Sequence, residues 1–200
     1  KGKSRVPHQP VMTATPIPRT LAMAAYADLD VSVIDELPPG RTPVKTVALP
    51  ENRRDEVVLR IRDACRQKRQ AYWVCPLIEE SDQLEAQAAE DTVTALAEAL
   101  QELKVGLVHG RMSPKEKDAV MGRFKEGAID LLVATTVIEV GVDVPNASLM
   151  VIENAERMGL AQLHQLRGRV GRGAAESTCV LLYRTPLTEV VREGICVLRA

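Results

Sequence analysis

Six short apolar runs follow Pro43, and segments with a helical pattern separate most of them. Runs that are apolar throughout are typical of strands buried on both faces, and alternation of such strands with helices favours a parallel sheet. We therefore predict an α/β fold built as a three-layer parallel sheet. The predicted strands cover residues 45–49, 71–75, 105–109, 130–135, 148–152 and 178–183.

Helical spacing marks four of the connecting segments. Apolar residues at positions 57, 58, 61, 64 and 65 predict one helix, and a repeat from Ala89 to Leu103 predicts another, with Asp82 and Glu85 spaced as in a capping box. The segment 113–127 has the clearest limits, because Ser113 suits an N-cap, Pro114 a first turn and Gly127 a stop. Residues 159–166, "GLAQLHQL", predict the fourth helix.

Composition narrows the class of protein. No apolar run approaches the roughly 18 residues that a membrane span needs, and the N-terminus has no apolar signal region, so we expect a soluble, cytoplasmic protein with no membrane partner. The four cysteines form no C-x-x-C pair and are expected to be buried and reduced; they are Cys65, Cys75, Cys179 and Cys196. The formal net charge of −1 means that a nucleic acid must be held by local groups.

The first 43 residues lack this rhythm, since "VMTATPIPRT" contains two prolines and "ELPPGRTP" is typical of an extended connector. We expect a boundary near residue 40, with residues 1–40 trailing from another domain and residues 41–200 forming this one. Two nucleotide-binding signatures are incomplete. "GKS" at 2–4 has no upstream glycine, and "VSVIDE" at 31–36 has no P-loop to accompany it.

The stretch "HQLRGRVGRG", at 164–173, carries three arginines within six residues and separates them with glycines. A guanidinium group suits phosphate oxygens, and glycine lets a backbone approach a ligand closely. In a domain without a P-loop, this pattern favours arginines that reach the γ-phosphate held by a second domain. The alternative is a basic turn on a solvated surface.

Four segments together resemble the motifs of superfamily 2 helicases, in the order of that superfamily. "TATPIPRT" (13–20) is similar to motif III, "HGRM" (109–112) to the motif between IV and V, "VATTVIEVGVDVPNA" (133–147) to motif V and "QLRGRVGR" (165–172) to motif VI. With its connector and the segment "YWVCPLIEESDQLEAQAA", the chain resembles the RecG branch-migration DNA helicases. The transcription-repair coupling translocases are a near alternative, and a non-catalytic α/β module that binds nucleic acid is another.

The resemblance implies a RecA-like P-loop NTPase fold, as the second helicase domain and without its own P-loop. It implies that Arg169 and Arg172 are catalytic arginine fingers. The other implied roles are ATP binding for Gln165, Gly141 and Asp143, DNA binding for Thr135, Thr136, His109, Gly110 and Arg111, and coupling for Thr13, Ala14 and Thr15.

Alternatives remain open for some of these residues. Asp143 also suits a turn, the two threonines also suit an ordinary strand, and His109 also suits the polar end of one. The resemblance further implies that ATP and Mg²⁺ bind mainly to a first RecA-like domain absent from this chain, so we expect the chain alone to be inactive. The implied partners are branched duplex DNA, that first domain and an N-terminal wedge domain of the same parent.

Overall fold

The computed structural model describes residues 43–75, 82–135, 144–173 and 176–184, all within the compact unit Leu37–Ala200. The predicted boundary near residue 40 lies outside these residues and stays a prediction. Each predicted strand is confirmed to within one residue at either end. The strands are β1 Val44–Pro50, β2 Gln70–Cys75, β3 Val105–Val108, β4 Leu131–Thr135, β5 Ala147–Ile152 and β6 Ser177–Tyr183.

Across the described ranges these strands form one sheet in the order β1-β6-β5-β2-β4-β3, and every pairing is parallel. Parallel neighbours need a crossover, which helices supply here. The helices are α1 Arg54–Arg66, α2 Asp82–Ala99, α3 Pro114–Lys125 and α4 Leu160–Arg167, with short 3-10 turns at Glu51–Arg53 and Ala155–Arg157.

Helices cover both faces of the sheet, which confirms the three-layer prediction. Alternate residues of β2 point to opposite faces, as the strand period requires. Trp73 packs in a core with side chains of α1 and α2, namely Val57, Ile61 and Leu96. Tyr72 packs in the other core with side chains of α3 and α4, namely Met121, Phe124, Leu163 and Leu166.

The limits of α3 follow the sequence signals. The backbone N–H of Glu116 donates to Ser113 Oγ at 3.3 Å, and the N–H of Ser113 donates to Glu116 Oε2 at 2.7 Å, so the predicted capping box is present. Gly127 follows the helix with φ of 80°, a conformation that favours glycine. Helix α2 begins at Asp82 and ends at Ala99, so the last two residues of the predicted repeat, Leu100 and Leu103, lie in the turn that follows it. The side chains of Asp82 and Glu85 lie outside the described part.

Three cysteines, Cys65, Cys75 and Cys179, are free and buried, as predicted. Burial raises the pKa of each thiol to about 12, so all three are neutral at physiological pH. Cys196 lies outside the described residues. In the same described part of the chain, no helix is long and apolar enough to cross a membrane.

Candidate functional site

Seven of the predicted site residues lie in the described segments, and they divide between the two edges of the sheet. Gln165, Arg169 and Arg172 belong to α4 and the loop that follows it, while Thr135, His109, Gly110 and Arg111 follow or end strands. The other six lie outside the described residues: Thr13, Ala14, Thr15, Thr136, Gly141 and Asp143.

The segment Arg167–Gly173, hereafter the arginine loop, lies at the edge where the strands begin. Arg167 Nη2 donates a hydrogen bond to the backbone oxygen of Val44, the first residue of β1, at 3.0 Å. The loop leads from the end of α4 toward Ser177, the first residue of β6. We call this edge the amino edge, because parallel strands all begin on the same side of their sheet.

Close packing fixes the backbone of the arginine loop. Val170 is fully buried in the core beside α3 and α4, so it anchors the middle of the loop. A β-carbon built on Gly173 would overlap the backbone oxygen of Pro145, which lies just before β5. Gly171 has φ of 82°, a conformation that glycine adopts without strain. Glycine is therefore required at these two positions for different reasons, the close contact at Gly173 and the backbone conformation at Gly171.

Arg169 and Arg172 are half-buried and act on the same buried hydroxyl group. Burial raises the pKa of Tyr72 to about 12, and the positive charges of both arginines partly oppose that rise. Arg172 Nε also donates to the backbone oxygen of Gly168 at 3.4 Å. Both arginines thus lie close enough to Tyr72 to influence its hydroxyl group, and Gln165 is exposed on the last turn of α4.

The second group of residues lies at the carboxyl edge, where the strands end. Val108 pairs with Ala134, so His109, which follows β3, lies level with Thr135, the last residue of β4. Residues 109–112, hereafter the HGRM turn, lead from β3 into α3. Gly110 and Arg111 are exposed, whereas the side chains of His109 and Thr135 are 13% and 2% exposed, respectively.

Hydrogen bonds define the shape of the HGRM turn. The N–H of Met112 donates to the backbone oxygen of His109 at 3.2 Å, and the N–H of Arg111 donates to His109 Nδ1 at 3.2 Å. Lys117 Nζ, on α3, donates to the backbone oxygen of Gly110 at 3.4 Å. The turn is therefore tied both to its own histidine and to the first turns of α3.

Sequence reasoning missed a second cluster at the carboxyl edge. The Arg54 guanidinium carbon lies 5.1 Å from the centre of a Trp73 ring, and Arg54 Nε lies 3.1 Å from Glu153 Oε1. Glu153 Oε2 in turn accepts a hydrogen bond from Cys75 Sγ at 3.6 Å. Arg54, strand β2 and Glu153 are far apart in sequence. The pairing of β2 with β5 brings Cys75 close to Glu153, and the packing of α1 on β2 adds Arg54. No local motif could have signalled the cluster.

Residues 53–174 match the family described as the helicase conserved C-terminal domain, and the chain belongs to that family. It is 72% identical over 194 residues to the ATP-dependent DNA helicase RecG of Escherichia coli O157:H7, a match that covers 96% of this chain and 28% of the relative. The resemblance to the RecG helicases is thereby confirmed. The chain spans little more than a quarter of the length of this relative.

Solved structures agree with the fold. A structure of RecG bound to a three-way DNA junction is 49% identical, with a TM-score of 0.76 over 93% of this chain and 24% of that one. Domain 2 of the DEAD-box helicase Mss116p, bound to an RNA duplex, is 20% identical and has a TM-score of 0.62 over 79% of this chain and 61% of that one. The latter likeness concerns the fold alone. The predicted RecA-like helicase fold is confirmed.

Proposed function

We propose that this chain is the second RecA-like domain of an ATP-dependent DNA helicase that remodels branched DNA, such as stalled forks and Holliday junctions. The observation that carries the proposal is the 72% identity to a RecG helicase over nearly the full chain. The structure of RecG on a three-way DNA junction supports branched duplex DNA as the substrate. A wedge domain elsewhere in the parent would split the branch.

The amino edge would face ATP. In this proposal, Arg169 and Arg172 reach the γ-phosphate of an ATP that a first RecA-like domain holds with Mg²⁺, and Gln165, Gly141 and Asp143 lie near the nucleotide. Fixed guanidinium groups stabilise the charge that develops on the transferred phosphoryl group without reorganising first. The buried Val170 and the close contact of Gly173 with Pro145 supply that rigidity, because they hold the backbone on either side of Arg172.

The carboxyl edge would face DNA. The carboxyl ends of parallel strands are a common place for ligand binding, and His109, Gly110, Arg111 and Thr135 lie there, with Thr136 next in sequence. Contacts to phosphates carry no sequence information and weaken with salt, which suits an enzyme that moves along any DNA. Residues Thr13 to Thr15 would relay hydrolysis between the two domains.

The proposal can be tested with Arg172→Ala in the full-length helicase. Removal of an arginine finger lowers kcat by roughly 10³-fold or more, whereas ATP affinity depends mainly on the first domain and should change little. ATP turnover on forked DNA and binding of a fluorescent ATP analogue measure the two effects. Arg60→Ala is the matched control, because Arg60 is exposed on α1, which packs on the opposite face of the sheet from α4. Unchanged turnover in the Arg172 variant would refute the finger role.

A complementary experiment uses the present chain alone and then mixed with the preceding part of its parent. We expect no ATP turnover from the chain alone and DNA-stimulated turnover on mixing. Turnover by the chain alone would overturn the two-domain assignment. Absence of ATP turnover in the full-length protein would instead favour a non-catalytic module that binds nucleic acid.

A further inference from the structure

We infer that His109 is a positioning residue that shapes the HGRM turn so that the guanidinium group of Arg111, and not the imidazole, meets a DNA phosphate. The inference rests on the proposed function, because it concerns how the carboxyl edge holds DNA. It changes the role of His109 from a contact to a support.

The hydrogen bonds of the turn carry the first step. The Arg111 N–H donates to His109 Nδ1, and the Met112 N–H donates to the His109 backbone oxygen. The next N–H group, that of Ser113, donates to Glu116 Oε2. Three successive amides are thus already used within the protein. A phosphate that approaches these three positions meets N–H groups that already donate within the protein, which favours contact through side chains.

Exposure separates the roles of the side chains. The imidazole of His109 is 13% exposed and turned toward α2, where its Nε2 lies 4.0 Å from Glu90 Oε1. Arg111 is exposed and carries a guanidinium group that can grip a phosphate with two donors. The charged group therefore projects from the turn while the ring lies behind it.

The chemistry of the ring follows from its two neighbours. Nδ1 accepts the Arg111 N–H, so it must keep its lone pair, and the proton of the neutral ring must then lie on Nε2, facing Glu90. The other end of the turn is fixed independently, because Lys117 holds the backbone oxygen of Gly110 and the capping box holds Ser113. Loss of the Nδ1 acceptor therefore frees Arg111 without unravelling α3.

Two conservative substitutions separate the nitrogen atoms of the ring. An asparagine side chain places its amide oxygen where Nδ1 lies, whereas a glutamine side chain reaches the place of Nε2. The experiment measures the affinity of the full-length helicase for forked duplex DNA, and its dependence on salt, for H109N, H109Q, R111A and the double variant H109Q/R111A. His164→Asn is the matched control, since His164 is exposed on α4, the helix that leads to the amino edge.

We expect H109N and the His164 control to bind like the wild type. H109Q and R111A should each weaken binding severalfold and lower the salt slope by about one, the value for a single phosphate contact. The double variant should match R111A alone, because one residue acts through the other.

The outcomes distinguish this inference from the proposed function. Wild-type affinity and salt slope in R111A would refute a DNA contact at the HGRM turn, and with it the DNA-facing carboxyl edge. If R111A does weaken binding, three other results would overturn the positioning role alone. They are an additive loss of affinity in the double variant, unchanged binding in H109Q, and equal losses in H109N and H109Q. Thermal unfolding of each variant verifies that the fold is retained.

Discussion

Gly173 packs so tightly against the backbone oxygen of Pro145 that a β-carbon at position 173 would occupy the same space. The obstacle is backbone, which cannot turn aside as a flexible side chain does. Any larger residue must therefore displace either the arginine loop or the segment that leads into β5. Because position 173 carries no β-carbon, the residue just after predicted motif VI can lie against Pro145 of predicted motif V.

Gly173→Ala is expected to lower the melting temperature and to reduce DNA-stimulated ATP turnover in the full-length helicase. The control is Gly122→Ala, within α3, where an added β-carbon meets nothing within 4 Å and alanine should stabilise the helix by about 0.5–1 kcal/mol. Calorimetry and an ATPase assay measure both variants. Equal turnover by the Gly173 variant and the wild type would mean that the contact with Pro145 is not needed for activity.

Phe124 is the second position where a substitution has a predictable cost. Its ring is fully buried and meets Tyr72 edge to face, with 5.0 Å between ring centroids. Phe124→Ala should lower the free energy of unfolding by about 3–5 kcal/mol, because it leaves a cavity. Leu84→Ala, at a side chain that is 52% exposed, should change it by less than about 0.5 kcal/mol. Urea denaturation provides the comparison, and similar losses in both variants would contradict this account of the core.

Lys68 offers a stabilising change. It follows α1 with φ of 61°, a left-handed conformation that costs free energy for a residue with a β-carbon. Its N–H donates to the backbone oxygen of Cys65 at 2.9 Å, so the conformation belongs to the helix end. Lys68→Gly should raise the free energy of unfolding, because it removes a left-handed cost of about 1–2 kcal/mol that exceeds the added entropy of the unfolded chain, whereas Lys68→Ala should not. Chemical denaturation measures the free energy of unfolding of both variants. Equal values for Lys68→Gly and Lys68→Ala would contradict the left-handed conformation at position 68.

The buried thiols predict how stability depends on alkaline pH. Burial raises the pKa of Cys65, Cys75 and Cys179 to about 12, while an unfolded thiol ionises near 8.5. Above that pH the unfolded state releases protons that the folded state keeps, so stability falls as pH rises from about 8.5 toward 12. In a Cys196→Ser variant, which leaves only these three thiols, their reaction with a disulfide reagent at pH 8 should be limited by the rate at which the protein unfolds locally. Immediate reaction of all three would contradict their burial.

Local signals were sufficient to predict the strands and the four helices of this fold, although the predicted repeat of α2 ran past its end at Ala99. Ser113, Pro114 and Gly127 each act within one helical turn, and their roles in α3 are as predicted. The strands were predictable because both of their faces are buried, so nearly every residue of β2, β4 and β5 is apolar. Such features depend on neighbours in sequence, which a reader of the sequence can see.

The relative position of the predicted sites was not predictable in that way. That Arg169 and His109 lie at opposite edges follows from the direction of the strands, because α4 runs back to the edge where β6 begins. The stacking of Arg54 on Trp73 depends on how α1 packs on β2, and the further contact of Arg54 with Glu153 depends on the pairing of β2 with β5. Strand order and register join residues that are distant in sequence, and no spacing rule encodes them.

The separation of the two edges has a mechanical consequence. They stand one strand length apart, about 17 Å for five residues, and the strands between them are close-packed on both sides and do not bend easily. If the sheet rotates by about 10° about its middle, the amino and carboxyl edges each move by about 1.5 Å, in opposite directions. In the proposed motor, one rigid-body rotation of the domain would then both bring the arginines toward ATP and displace the HGRM turn along DNA.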